Sequence, residues 1–218
     1  MQRLDDTPSQ PVTAVMAVRV ATAVALAVVL LCSACANSRG GRSAAVEVRD
    51  QSGFTITEEV RVGSGVRRDF DRALRLLEQK EYERSIALFV EVTQAAPEVT
   101  AAHIDLGMAY RRGGDLERAE TSLRRALALN PRHPVAHNEL GIVYRRSGRF
   151  DEARSSYETA LELYPRFHFA RRNLAILCDL YLRDFGCAVE HYTLYTQAVP
   201  GDETAAMWIA DLRNRTGQ

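Results

Sequence analysis

Several sets of residues repeat together along this chain with a period of 34. Pro97, Pro131, Pro165 and Pro200 lie 34, 34 and 35 positions apart. Ser85, Ala119, Ala153 and Ala188 keep those spacings, and so do Phe89, Leu123, Tyr157 and Tyr192. Leu106-Gly107, Leu140-Gly141 and Leu174-Ala175 recur at 34, followed in turn by Tyr110, Tyr144 and Cys178. One such series would mean little. Several in parallel mark stacked supersecondary units, and a generic helical bundle has no reason to hold the period.

The residue types explain the unit. A small residue in a first helix and an alanine in a second let two antiparallel backbones approach, and the large residues fill the space beside them. Proline closes each unit because it cannot continue a helix and turns the preceding residue away from helical dihedrals. Arg112-Gly113-Gly114-Asp115 and Ser147-Gly148-Arg149 supply the turns. This pattern resembles the tetratricopeptide repeat (TPR). The resemblance implies an all-α fold, a right-handed superhelical solenoid of about four helix hairpins. The units run 66–99, 100–133, 134–167 and 168–201, and 202–218 forms a capping helix and tail. The first unit is degenerate, with Arg72-Ala73 and Leu76 in place of leucine-glycine and tyrosine. The last carries an extra residue around Leu182 to Gly186. In the cap, Ala206, Ile209 and Ala210 are expected to face the array, with Trp208 and Leu212 on one stripe.

The first 35 residues read as an address. Val20 to Leu31 is apolar except for Thr22, and Arg19 precedes it. The run has the length of a signal-peptide core and falls short of the roughly 20 residues that span a bilayer. Ser33-Ala34-Cys35 resembles a bacterial lipobox, which implies lipidation at Cys35. Cys32 stands where that motif usually has leucine. A cleaved signal peptide or an uncleaved anchor are the other readings. Asp5, Asp6 and Pro11 make a poor leader, so Met16 is the expected start. Ala36, where aspartate commonly signals inner-membrane retention, leans to an outer-membrane lipoprotein facing the periplasm. Residues 36–65 read as a flexible tether without a partner strand for the extended-looking stretch Phe54 to Val62.

In a TPR hairpin Cys178 and Cys187 face each other across a turn. Export puts them in an oxidising compartment. A disulfide is expected there, the alternative being two reduced core thiols. Catalytic signatures are missing: there is no HExxH, phosphate-binding glycine loop or GxSxG. His103 and His137 share a repeat position and read as structural. His133 and His137 are four apart, but Pro134 lies between them and no third ligand is evident, so no metal is expected. We expect no enzyme activity and no cofactor.

The resemblance places the first helix of each unit on a concave face. Its lining would be Phe70 and Leu74; Ile104, Asp105, Met108, Arg111 and Arg112; Asn138, Glu139, Ile142, Arg145 and Arg146; Phe169, Arg172, Asn173 and Ile176. That makes an apolar floor of Ile104, Met108, Ile142 and Ile176 beside arginine pairs at a spacing of 34. Arginine forks take carboxylates in bidentate fashion, so the groove suits a peptide bearing acidic groups. Alternatively the arginines only solubilise helix ends, pairing with Asp115, Glu117, Asp151 and Glu152. Basic and acidic residues balance, 28 against 28, which argues against nucleic acid and against an RNA-binding helical repeat. Lipobox, tether and array together resemble TPR lipoproteins of type IV and Flp pilus assembly, implying a scaffold for envelope proteins such as a secretin or pilus component. An adaptor of an energy-transducing or motility machine, or a scaffold for cell-wall enzymes, are the alternatives.

Overall fold

The computed structural model describes residues 47–49, 55–57 and 62–217. The signal segment 1–35 with Cys35, the start at Met16 and most of the tether lie outside the described residues. Antiparallel hairpins follow one another: α1 (Ser64–Glu78) with α2 (Tyr82–Ala95), α3 (Thr100–Gly113) with α4 (Leu116–Leu129), α5 (Pro134–Arg146) with α6 (Phe150–Leu163), and α7 (His168–Leu177) with α8 (Phe185–Ala198). Helix α9 (Glu203–Thr216) caps the last hairpin. Each second helix also packs on the next unit's first helix, so the array is continuous.

The period reflects one contact. A Cβ added at Gly107 would lie 2.7 Å from Cγ of Leu123, and one at Gly141 would lie 2.6 Å from the ring of Tyr157. The missing side chain is the hole that the large residue fills. Second helices bury one stripe, such as Ala153, Ser156, Tyr157 and Ala160 in α6, and leave the opposite face to solvent. First helices are inside: α3 buries every residue from 102 to 110.

The hairpin turns repeat as strictly as the core. The carbonyls of Leu76, Tyr110, Tyr144 and Cys178 accept from the backbone N–H of Glu81, Asp115, Arg149 and Asp184, each at 2.9 Å. Left-handed residues precede those donors: Lys80 (φ 62°), Gly114 (φ 94°), Gly148 (φ 75°) and Arg183 (φ 56°). The first three bonds reach five residues along the chain and the fourth reaches six. The extra residue therefore falls after Cys178. A π-helical turn, Cys178–Leu182, takes it up, earlier than the expected stretch 182–186. A single insertion widens one helical turn at less cost than shifting the register of the whole repeat. Sγ atoms of Cys178 and Cys187 are bonded across this turn, with Cα atoms 5.9 Å apart. A loop this short contributes roughly 2–3 kcal/mol in the chain-entropy account.

The turns between units are strapped at the same period. His103 Nε2 donates to the Pro97 carbonyl (3.1 Å), His137 Nε2 to that of Pro131 (2.9 Å), and Arg171 to that of Pro165 (2.6 Å). His133 instead caps α5, its Nδ1 accepting from Ala136 N–H at 3.3 Å. These bonds occupy His133 and His137 separately, as backbone partners.

Two expectations need correction. The cap buries Ala205, Trp208, Ile209 and Leu212, while Ala206 and Ala210 face solvent. Trp208, Ile209 and Leu212, on one stripe with Ala205, settle the rotation, because burying Trp208 and Leu212 recovers more apolar area than burying Ala206 and Ala210. The tether contains paired strands: β1 (Glu47–Arg49) runs antiparallel to β2 (Thr55–Thr57), with Val48 opposite Ile56. Each run is only three residues long. Neither reads as a strand until the other is seen beside it.

Burial holds the His133 imidazole neutral, with its pKa lowered to about 4. Between about pH 6.5 and 4 the unfolded chain takes up a proton here that the native chain refuses. Stability from this group is complete above pH 6.5 and lost as pH falls towards 4, by about 3 kcal/mol in all. His133→Asn keeps a cap, and subtracting its urea-denaturation pH profile from wild type should return that slope. Lys80→Gly removes a left-handed lysine and should raise stability by about 1 kcal/mol in the same assay, with Gly148→Ala moving it the other way.

Candidate binding surface

The inner face is formed by α1, α3, α5 and α7, whose equivalent positions stack at intervals of 34 residues. Asp105, Glu139 and Asn173 are one such series, Met108, Ile142 and Ile176 another, and Arg111, Arg145 and Asp179 a third. The structure brings the expected lining residues together, but not as an open apolar floor beneath free arginines. Ile104, Met108, Ile142 and Ile176 are all buried, Ile104 and Met108 to 3 % and 2 % exposure. Asp105, Asn138 and Glu139 are buried as well.

A polar ladder ties neighbouring units together along this face. Arg111 Nε donates to Glu139 Oε2 at 3.0 Å. Asn138 donates to the other Glu139 oxygen at 3.4 Å, and Asn173 donates to Asn138 Oδ1 at 2.9 Å. Arg146 donates to the Arg111 carbonyl at 2.7 Å. Asp105 lies deeper. Burial pushes its carboxyl well above the usual carboxylate range, the Glu139 charge adds to that, and Arg112 opposes it. Arg111 is therefore bound to the next unit's carboxylate and has little capacity for a ligand. Its partner is not among Asp115, Glu117, Asp151 and Glu152. Asp115 instead binds Arg118, and Glu152 binds Arg149.

The unit that carries the insertion differs. Arg145 donates to the Tyr181 hydroxyl at 3.3 Å and lies over its ring, 5.6 Å from the centroid. Tyr181 also stacks on Phe150 at 4.9 Å. Arg172 lies between the rings of Tyr195 and Trp208, 6.0 and 5.7 Å from their centroids. Leu180 and Tyr181 are large apolar groups left exposed on the widened turn. Sequence reasoning missed Tyr181, Tyr195 and Trp208 as neighbours of these arginines. The available signal was the 35-residue interval, which marks unit four as the one altered from the template. Phe169 is half-buried at the start of the same face.

Cys178, Asp184 and Cys187 offer ligand atoms within 4.8 Å of one another. With the two sulfurs bonded and Asp184 capping α8 through Cys187 N–H at 3.1 Å, the cluster has no thiolate for a metal.

Known structures share the architecture. The chain superimposes on MamA from Desulfovibrio magneticus RS-1 with a TM-score of 0.63 and 18 % identity, covering 72 % of this chain and 88 % of that one. For PilF of Pseudomonas aeruginosa the TM-score is 0.64, with 20 % identity over 69 % and 68 % of the two chains. For a thermophilic TPR protein of Thermus thermophilus it is 0.60, with 23 % identity over 67 % and 80 %. At these identities the likeness shows the fold alone. No curated protein sequence matches significantly. The sequence profile described as "Tetratricopeptide repeat" matches in three overlapping registers, residues 70–134, 104–166 and 138–203. With more than half its length in that profile, built as stacked hairpins with one strap and one turn per period, the chain belongs to the tetratricopeptide-repeat family.

Proposed function

We propose that this array is a non-enzymatic adaptor of the bacterial envelope, lipid-anchored through Cys35 and facing the periplasm. TPR arrays are protein-interaction scaffolds, and a stack of hairpins with a shared inner face is suited to that. The observation that carries the binding role is Arg145, held on the inner face against an aromatic ring, with Arg172 in a similar setting one unit on. A planar guanidinium stacked on a ring can still offer its edge to a carboxylate. The groove accordingly takes a peptide bearing acidic groups in its C-terminal half, beside Tyr181 and Trp208. The apolar run before Cys35 and the bridged Cys178–Cys187 pair both favour an exported protein. No helix among the described residues is long and apolar enough to cross a membrane, and an acyl anchor is the proposed membrane attachment. Assembly of a pilus or secretion complex is the role we favour, from the combination of lipobox, tether and small array. Adaptors of other trans-envelope machines share that combination.

Cys35→Ser in the full chain should move the protein from the membrane fraction to the soluble periplasmic fraction. Unchanged fractionation would reject the anchor. Arg145→Glu and Arg145→Ala should each cut recovery of envelope partners about tenfold in cross-linked pull-downs, a change of about 1.4 kcal/mol, with little change in melting temperature. Arg111→Glu is unsuitable, because it sets a second carboxylate against buried Glu139 and should unfold unit two. Full recovery with both usable variants would remove the groove from the account.

A further inference from the structure

Gly107 and Gly141 are holes filled by Leu123 and Tyr157 from the second helix of the same unit. Ala175 holds that place in unit four and is fully buried. Ala210 continues the series, so that Gly107, Gly141, Ala175 and Ala210 stand 34, 34 and 35 positions apart. Helix α9 therefore has the pattern of the first helix of a fifth period. Ala210 is nevertheless exposed, and so are Ala206 and Met207 beside it. Among the described residues α9 packs on α8, and no second helix fills its hole. Met207 is 63 % exposed, more than Leu180 or Tyr181.

The other end of the array is finished differently. Helix α1 exposes Arg68, Asp71, Arg72 and Arg75, the polar outer face that a terminal repeat needs. Helix α9 instead exposes an apolar centre between charged ends. Glu203, Ala206, Met207, Ala210, Arg213 and Asn214 lie on one stripe at i, i+3, i+4, i+7, i+10 and i+11, and all six are exposed. Among the described residues neither Glu203 nor Arg213 makes an ion pair, whereas Arg215 is held by Asp179 and Asp211.

This stripe is its own complement. A second copy of α9 can be laid antiparallel on the first, about a twofold axis level with the step from Trp208 to Ile209. Met207 of each copy then stands opposite Ala210 of the other, and Glu203 of each comes beside Arg213 and Asn214 of the other. A large side chain enters the hole above a small one, as Leu123 does at Gly107, and the helices run antiparallel as they do within a unit. Head-to-tail stacking has no such match, because the exposed face of α1 would set only charged residues against Met207. A contact that uses the same patch on both copies closes on itself as a dimer.

We propose that α9 is a homodimerisation helix, each copy standing in for the second helix that the other's fifth period lacks. One helix from each copy makes a small contact beside the roughly 1,200–2,000 Å² of stable complexes. The dimer is accordingly weak and dependent on concentration, and confinement of both copies to one surface would favour it. No residue of the stripe belongs to the acidic-peptide site, so the inference does not rest on the groove reading.

Sedimentation of the full chain in detergent solution tests it. Over a hundredfold rise in concentration the wild type should pass from monomer towards dimer. Met207→Glu should raise the dissociation constant at least about tenfold with melting unchanged, since the residue is exposed in the monomer. Glu203→Arg and Arg213→Glu should each weaken self-association by a similar factor. An equimolar mixture of those two variants should recover it, because both pairs across an antiparallel contact are then opposite in charge. A monomer at every concentration overturns the inference. So does association that Met207→Glu leaves unchanged, or a mixture that associates no better than its components. Arg145→Glu should leave the dimer intact, so the groove reading and this one can fail separately.

Discussion

A side chain on Gly141 would overlap the ring of Tyr157, and one on Gly107 would overlap Leu123. This knob-and-hole contact sets the distance between the two helices of a unit. Everything further out inherits it. With the helices close, the turn between them must reverse the chain within a few residues, which is why a left-handed residue and a closing backbone bond recur at every hairpin. The next unit's first helix in turn sits against the preceding second helix. Nearest-neighbour packing of this kind makes the array's stability close to a sum over units and interfaces.

Polar chemistry follows the same geometry. Straps from His103, His137 and Arg171 run to three proline carbonyls. Those carbonyls need donors because a turn between packed units leaves them short of partners. Histidine and arginine serve equally, since only a long side chain ending in N–H is required. On the inner face the ladder Arg111–Glu139–Asn138–Asn173 crosses from unit to unit. Removing one member would leave a buried charge or amide unpaired, which costs far more than the bond itself is worth.

Unit four departs from the template, and the departures coincide. The inserted residue, the Cys178–Cys187 bridge, the exposed Leu180 and Tyr181, and the ring that meets Arg145 all fall in or against it. The π turn is closed by the disulfide, and it projects Tyr181 towards Arg145. The proposed binding function concentrates here because Arg111, at the equivalent position one unit earlier, is committed to holding the array together.

The sequence by itself determined the repeat, the number of hairpins and the small-against-large contact, because these depend on residues a fixed distance apart on a regular helix. It also determined that His103 and His137 share one structural role and that Cys178 and Cys187 meet. Tertiary structure decided what sequence periodicity cannot encode. Helix α9 rotates to bury Trp208 and exposes Ala206 and Ala210, since total area buried wins over pattern. Lys80 and Arg183 occupy left-handed turns that glycine would advertise, so only the spacing betrays them. Arg111 turns to Glu139 because the superhelix brings residues 28 apart within 3.0 Å, a relation between units that no single repeat contains. Which lining residues remain available to a ligand is likewise a property of the stacked array: a residue can be assigned to the inner face from its register alone, but its exposure depends on everything folded around it.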